Sequence, residues 1–292
     1  MKICKLSKIK EERQDGAVYN GYLFSFNYKG ECTVYQMDAL ESCTDTEAEA
    51  FSEFTLDKSD IIVPHSNSVM FGSEYYDDKD EFPLLYTNIY NNYSASDDKL
   101  KGVCLVYRLQ RFGSEFKTTL VQMIEISFTD DEELWCSPKS AEEDKRPYGN
   151  FTIDTQKSVY YAFTMRDASN STRYFSFDLP KLSQGELSEK YNVRKVILKP
   201  ENICDYFDCD YHHYIQGACC HNGKIYSLEG FTDNFQNPPA IRIIDTKSKK
   251  EVYFKKFGDI GLSIEPEMID FEGDICYYGD HNGNMYKLFF ND

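Results

Sequence analysis

No stretch of this sequence stays apolar for the ~20 residues that a membrane-crossing helix needs, so nothing in it reads as a bilayer-spanning helix. Positive charge is scarce too: 32 Lys and Arg stand against 49 Asp and Glu, a formal charge of −17. Such a surface repels phosphate backbones and anionic lipids on average, so neither nucleic acid nor a membrane is expected as a partner. The basic opening, Met1 to Lys10, is not followed by the apolar segment of a secretory leader. The expectation is a cytoplasmic protein, or an extracytoplasmic one if the chain is a processed form.

Signatures of nucleophilic and nucleotide chemistry are missing as well. There is no Gly-x-Ser-x-Gly elbow and no phosphate-cradling glycine loop leading into a helix. Helix-forming composition is confined to Asp45–Ala50 and Gln184–Tyr191, and both segments read as loops. Cysteine is not lacking, but its ten copies are scattered through apolar strand-like contexts, which suits reduced core thiols rather than a disulfide framework. The densest group is Cys204, Cys209, His212, His213, Cys219, Cys220 and His221. Its spacing fits no standard zinc knuckle, and neighbours on a strand such as Cys219 and Cys220 face opposite ways.

What the chain does have is aromatic and β-branched residues in quantity, with 23 Tyr and 21 Phe against one Trp, enough for a large β core. It also has a repeat, clearest from Tyr214 to Asp245. A small apolar strand runs to a turn at Asn222-Gly223, an alternating strand covers Lys224–Glu229, and a third ends on Asp245. Asn-Gly accepts positive φ and so suits a two-residue hairpin. The pattern recurs from Gln14 with turns at Asn20-Gly21 and Lys29-Gly30, from Pro64 with an insertion at Glu74–Glu81, from Tyr148, and from Glu267. The third unit takes Val193–Leu198 as its outer strand. The fifth unit ends one strand short, and residues 1–9, which alternate at period two, supply that strand.

Evenly spaced strands alone would also fit a sandwich. Recurrence of one pattern in register predicts instead an all-β fold, a five-bladed β-propeller of four-stranded blades closed by its N-terminal strand. The blades fall at about 11–58, 59–130, 131–200, 201–258, and 259–292 with 1–10, as a single domain.

In a propeller the first strand of each blade lines the axis. Aligning the units there brings Asp15, Asn67, Asn150, Gln216 and Glu267 to one level, with His65, Tyr148, His212, His213, Tyr214 and Glu265 around the mouth. Oxygen ligands in a ring suit a hard cation such as Ca²⁺, which takes about six to eight of them, with Asp15 and Glu267 as its carboxylates. They suit sugar hydroxyls or ordered water equally well. Aromatic rings beside carboxylates suit a sugar face, and Asp15, Glu265 and Glu267 are the candidate acid and base groups.

On this repeat the whole chain resembles five-bladed propellers as a class. They include tachylectin-type lectins, arabinanase- and levansucrase-type glycoside hydrolases, calcium-dependent apyrases and plant-type glutaminyl cyclotransferases. The hydrolases carry an Asp-Pro near the axis of the first blade, where this chain has Asp15-Gly16. The cyclotransferases carry a Phe-Thr-Gln-Gly-Leu segment leading to Leu-Tyr-Glu-Ser. Here Tyr214-Ile-Gln-Gly-Ala leads to Ile225-Tyr226-Ser227-Leu228-Glu229, with Ser227 at the glutamate's place and Glu229 on the same strand face.

The resemblance is architectural; the axial residues lead us to expect a scaffold that binds a small polar or carbohydrate ligand at the mouth. A carbohydrate-active hydrolase with a bound cation is one alternative. A protein-interaction platform using the polar excursions Glu74–Glu81 and Thr129–Pro147 is another.

Overall fold

The computed structural model describes residues 1–42, 46–62, 64–89, 100, 102–129, 131–135, 150–163, 171–210 and 214–290. Its strands form five antiparallel blades in which consecutive strands pair in order. Blade 1 is Asp15–Tyr19, Tyr22–Phe26, Glu31–Gln36 and Ser52–Thr55. Blade 2 begins with Val69–Phe71, Leu85–Ile89, Val103–Phe112 and Glu115–Ile126. Blade 3 is Phe151–Asp154, Val159–Phe163, Thr172–Asp178 and Asp205–Cys209. Blade 4 is Ile215–His221, Lys224–Glu229, Ala240–Asp245 and Lys250–Lys256. Blade 5 is Pro266–Glu272, Ile275–Asp280 and Met285–Phe289, completed by Lys2–Lys5.

The chain is therefore a five-bladed β-propeller closed by its own N-terminus, with Lys2 opposite Phe289 and Lys5 opposite Tyr286. The Asn-Gly turns form as their composition requires. Asn20 and Gly21 sit at φ 51° and 75°, and Asn222 and Gly223 at 49° and 70°, the two left-handed positions of a tight hairpin.

The inner strands of each blade are buried on both faces and are apolar on both sides, whereas the outermost strands are largely exposed. Side chains that alternate along a strand go to opposite neighbours. In blade 4, Cys219, Tyr226, Leu228, Ile241 and Ile243 pack toward blade 5 with Ile269 and Tyr278. Ala218, Ile225 and Ile244 pack toward blade 3 with Tyr161 and Phe163. The remaining interfaces are filled the same way. Phe24, Phe71, Phe82 and Phe116 lie between blades 1 and 2, Trp135, Phe151 and Phe175 between 2 and 3, and Val18, Tyr35 and Met268 between 5 and 1.

One strand lies elsewhere than expected. Val193–Leu198 is not the outer strand of blade 3: it runs parallel to the last strand of blade 2, with Arg194 opposite Gln122 and Leu198 opposite Ile126. The segment Gln184–Tyr191 carries its antiparallel partner, Glu186–Ser188, and blade 2 becomes a six-stranded sheet. The outer position of blade 3 goes to Asp205–Cys209, which pairs with Thr172–Ser176. The connection from Asp178 is long enough to leave the blade, cross to its neighbour and return. The parallel pair itself is joined through the first three strands of blade 3, far more than the dozen or so residues such a crossover needs. Val193–Leu198 is the more apolar segment, and it takes the site where Val193 and Leu198 are covered.

Candidate functional site

In this topology every inner strand starts on the same face, so the starts of five strands and the loops beside them surround one axial mouth. The predicted ring residues separate there into three groups.

Asp15 belongs to the framework. Its Oδ1 accepts the N–H of Gly16 at 2.8 Å and its Oδ2 the N–H of Val69, in the next blade, at 2.7 Å. Burial pushes its pKa well above the carboxylate range, and those two bonds oppose the shift.

Asn67 and Asn150 meet through a residue that sequence alignment of the inner strands does not reach. Asn88, on the second strand of blade 2, donates its Nδ2 to Asn67 Oδ1 at 2.5 Å and to Asn150 Oδ1 at 3.3 Å. Its Oδ1 accepts the N–H of Ser68. All three amides are buried, and the Nδ2 of Asn150 has no acceptor.

The third group spans blades 4 and 5. Gln216 donates its Nε2 to Glu265 Oε1 at 2.6 Å and to the carbonyl of Gly230 at 3.3 Å. His281 Nδ1 lies 2.9 Å from Glu267 Oε1. The backbone ties the pairs together, because the N–H of His281 donates to the carbonyl of Glu265 at 2.9 Å. Glu267 is buried, whereas Gln216, Glu265 and His281 are half-buried. Burial raises the proton affinity of Glu267 well above the usual glutamate range, with Glu265 and Asp280 adding to it. Burial also raises that of Glu265, opposed by His281.

His281 was legible in principle. Residues 266 and 280 are paired, so the next residue outward on the second strand must come beside Glu265.

His65 is half-buried in the loop entering blade 2, and burial lowers its pKa to about 4. Tyr148, His212 and His213 lie outside the described residues. Glu229 is nearly inaccessible and is held by Arg242, whose Nη2 and Nε donate to its carboxylate at 2.9 and 3.3 Å. Cys209 and Cys219 sit in strands of different blades, and burial raises the thiols of Cys209 and Cys220 to about 12, leaving them protonated. His221 is stacked on Phe271 with ring centroids 4.1 Å apart.

The donor set does not fit a hard cation. Both Asp15 oxygens accept backbone N–H groups, Glu267 Oε1 is bonded to His281, and Gln216 presents its amide nitrogen to Glu265. Among the described residues no three His, Cys, Asp or Glu side chains are grouped to hold a metal. Among these residues, too, no helix is long and apolar enough to cross a membrane.

No family model matches the chain and no curated protein matches it in sequence. Solved structures with a similar course include Myxococcus xanthus glutaminyl cyclase. It is 10% identical over 98% of this chain and 94% of that one, with a TM-score of 0.48. Saccharomyces cerevisiae Sqt1 matches at 7% identity over 91% of this chain and 54% of its own, with a TM-score of 0.37. The computationally designed Ika8 protein matches at 7% identity over 98% and 99%, with a TM-score of 0.35. These likenesses carry no argument about chemistry.

Proposed function

We propose that the protein binds a small polar ligand, of the carbohydrate class, at the axial mouth, contacted by Gln216, Glu265 and His281 above the buried Glu267. The observation that carries this reading is the linked cluster of two acids, an amide and an imidazole at a half-open position. Such groups offer hydroxyls both donors and acceptors without a large loss of side-chain freedom, because their geometry is already fixed.

The test is a thermal-shift screen of the whole chain against a glycan panel and Ca²⁺, repeated with Glu265→Gln and His281→Ala. A ligand that binds only the folded state raises the melting temperature by mass action. A glycan-dependent rise that disappears in both variants supports the reading, and a melting temperature unmoved by every probe removes it.

A second reading, carbohydrate hydrolysis, is favoured by one feature. Glu267 is held toward its protonated form beside Glu265, and glycoside hydrolysis pairs a protonated carboxyl with a second carboxylate. Turnover of aryl glycosides that is lost in Glu267→Gln would select this reading over simple binding.

A further inference from the structure

Arg13 lies in the segment leading from the closing strand into blade 1 and is 4% exposed. Its Nη2 donates to the hydroxyl of Thr33 at 3.0 Å, and its Nε is buried without an acceptor. Other arginines are handled differently. Arg108 is held by Asp80, Arg111 by Glu81, Arg173 by Asp208, and Arg242 by Glu229 and Glu251, while the exposed Arg194 bonds the carbonyl of Gly185. Among the described residues, Arg13 alone is a buried guanidinium without a carboxylate at ion-pair distance. A link to a carboxylate runs through Thr33, whose hydroxyl donates to Glu53 Oε1 at 3.4 Å, and a buried guanidinium, which does not shed its proton, is costly without a direct counter-ion.

Arg13 borders a pocket of about 320 Å³ on the face of the axial mouth but at the outer half of blade 1. Its walls include Lys10, Thr33, Phe54 and two carboxylates, Glu31 and Glu53. We propose that this pocket binds a small zwitterion of the amino-acid class, with its carboxylate on Arg13 and Lys10 and its ammonium on Glu31 and Glu53.

The wall charges decide the class. Two cations and two anions balance, so a zwitterion enters without net charge. A dianion such as phosphate meets both glutamates, and a neutral sugar leaves Arg13 without a counter-ion. A carboxylate also matches the planar guanidinium fork. The present occupant of this charge pattern is weak. Lys10 Nζ stands 3.3 Å from Glu53 Oε1, with more than half of each side chain exposed, a pair that contributes little. A ligand displaces it at small cost. The volume lies at the low end for ligand sites, which selects a small molecule.

The test is titration calorimetry of the whole chain with L-alanine and L-glutamate, alongside acetate, methylammonium and inorganic phosphate. The expected result is saturable binding of an amino acid, tighter than acetate or methylammonium, with no heat from phosphate. Arg13→Gln weakens that binding by about tenfold or more, the usual weight of a charge-assisted contact. Because Arg13→Gln also removes the buried bond to Thr33, Thr55→Trp provides a second variant. It fills the pocket from an exposed strand position and must also abolish binding. The proposal is overturned by absence of amino-acid binding, by binding unchanged in either variant, or by acetate or phosphate binding as tightly as the amino acid.

Discussion

Asp270 of the last blade accepts the backbone N–H of Val18 of the first at 2.8 Å. Two residues on, Glu272 accepts the N–H of Gly21 at the same distance. The ring is thus closed on its inner side by carboxylates as well as on its outer side by the N-terminal strand. Burial raises the Asp270 pKa from 3.8 to about 7, although its backbone bonds oppose the shift.

Stability should therefore depend on pH in a definite direction. Between pH 3.8 and about 7 the folded state holds the Asp270 proton and the unfolded state has released it. Where the folded state binds more protons, stability falls as pH rises. This contribution is fully present below 3.8 and is lost as pH climbs through about 7. Urea unfolding of wild type and Asp270→Asn across this range should show wild type losing ground to the variant with rising pH, then a constant difference. Parallel curves throughout would show that Asp270 does not titrate in this way.

Gly217 of blade 4 faces the backbone of Glu267 in blade 5. A Cβ there would lie 2.4 Å from the carbonyl oxygen of Glu267, which is backbone and cannot swing aside. Gly217→Ala should cost about 1–3 kcal/mol, as overpacking does. It should also weaken ligand binding at the mouth, because Glu267 must shift. Gly258→Ala, where a Cβ meets nothing within 4 Å, should be silent in both measurements.

The propeller was readable because its two signals are local. Asn-Gly turns set the hairpins, and period-two patterning set the strands. The closing strand was readable because blade 5 ended one strand short. Val193–Leu198 was misplaced because sequence order favours pairing with the nearest preceding strand, and a parallel return to an earlier blade leaves no local mark. At the mouth, inner-strand alignment found Glu267 and Gln216, whose partners are Glu265 and His281. It could not tell Asp15, bonded to two backbone N–H groups, from a free carboxylate. It also missed Asn88, which reaches Asn67 and Asn150 from a second strand.

The parallel addition to blade 2 yields its own prediction. Leu198 is buried among Ile126, Trp135 and Phe177 at the interface of blades 2 and 3, while Ile197 is 43% exposed. Leu198→Ala should lower unfolding free energy by about 2–5 kcal/mol, whereas Ile197→Ala should stay within about 1 kcal/mol of wild type in chemical denaturation. Equal effects would mean that the added strand does not cover the blade 2 edge as described.

Among the described residues Glu229 and Arg242 form the most enclosed ion pair, with side chains 2% and 9% exposed, and the guanidinium also lies 4.4 Å from the Phe254 ring centroid. Glu229→Ala leaves the buried Arg242 with Glu251 as its remaining carboxylate, so it should cost about 1–3 kcal/mol, and the double replacement Glu229→Leu with Arg242→Met should recover most of that. The same pair bears on function. Glu229 is the residue that shares a strand face with the position of the cyclotransferase glutamate, but here its carboxylate is committed to Arg242. Glycan binding at the mouth should therefore survive in the double variant once stability is restored. If binding is lost while the fold and melting temperature are retained, Glu229 takes part in ligand recognition, and the site extends from Gln216 across to the end of the second strand of blade 4.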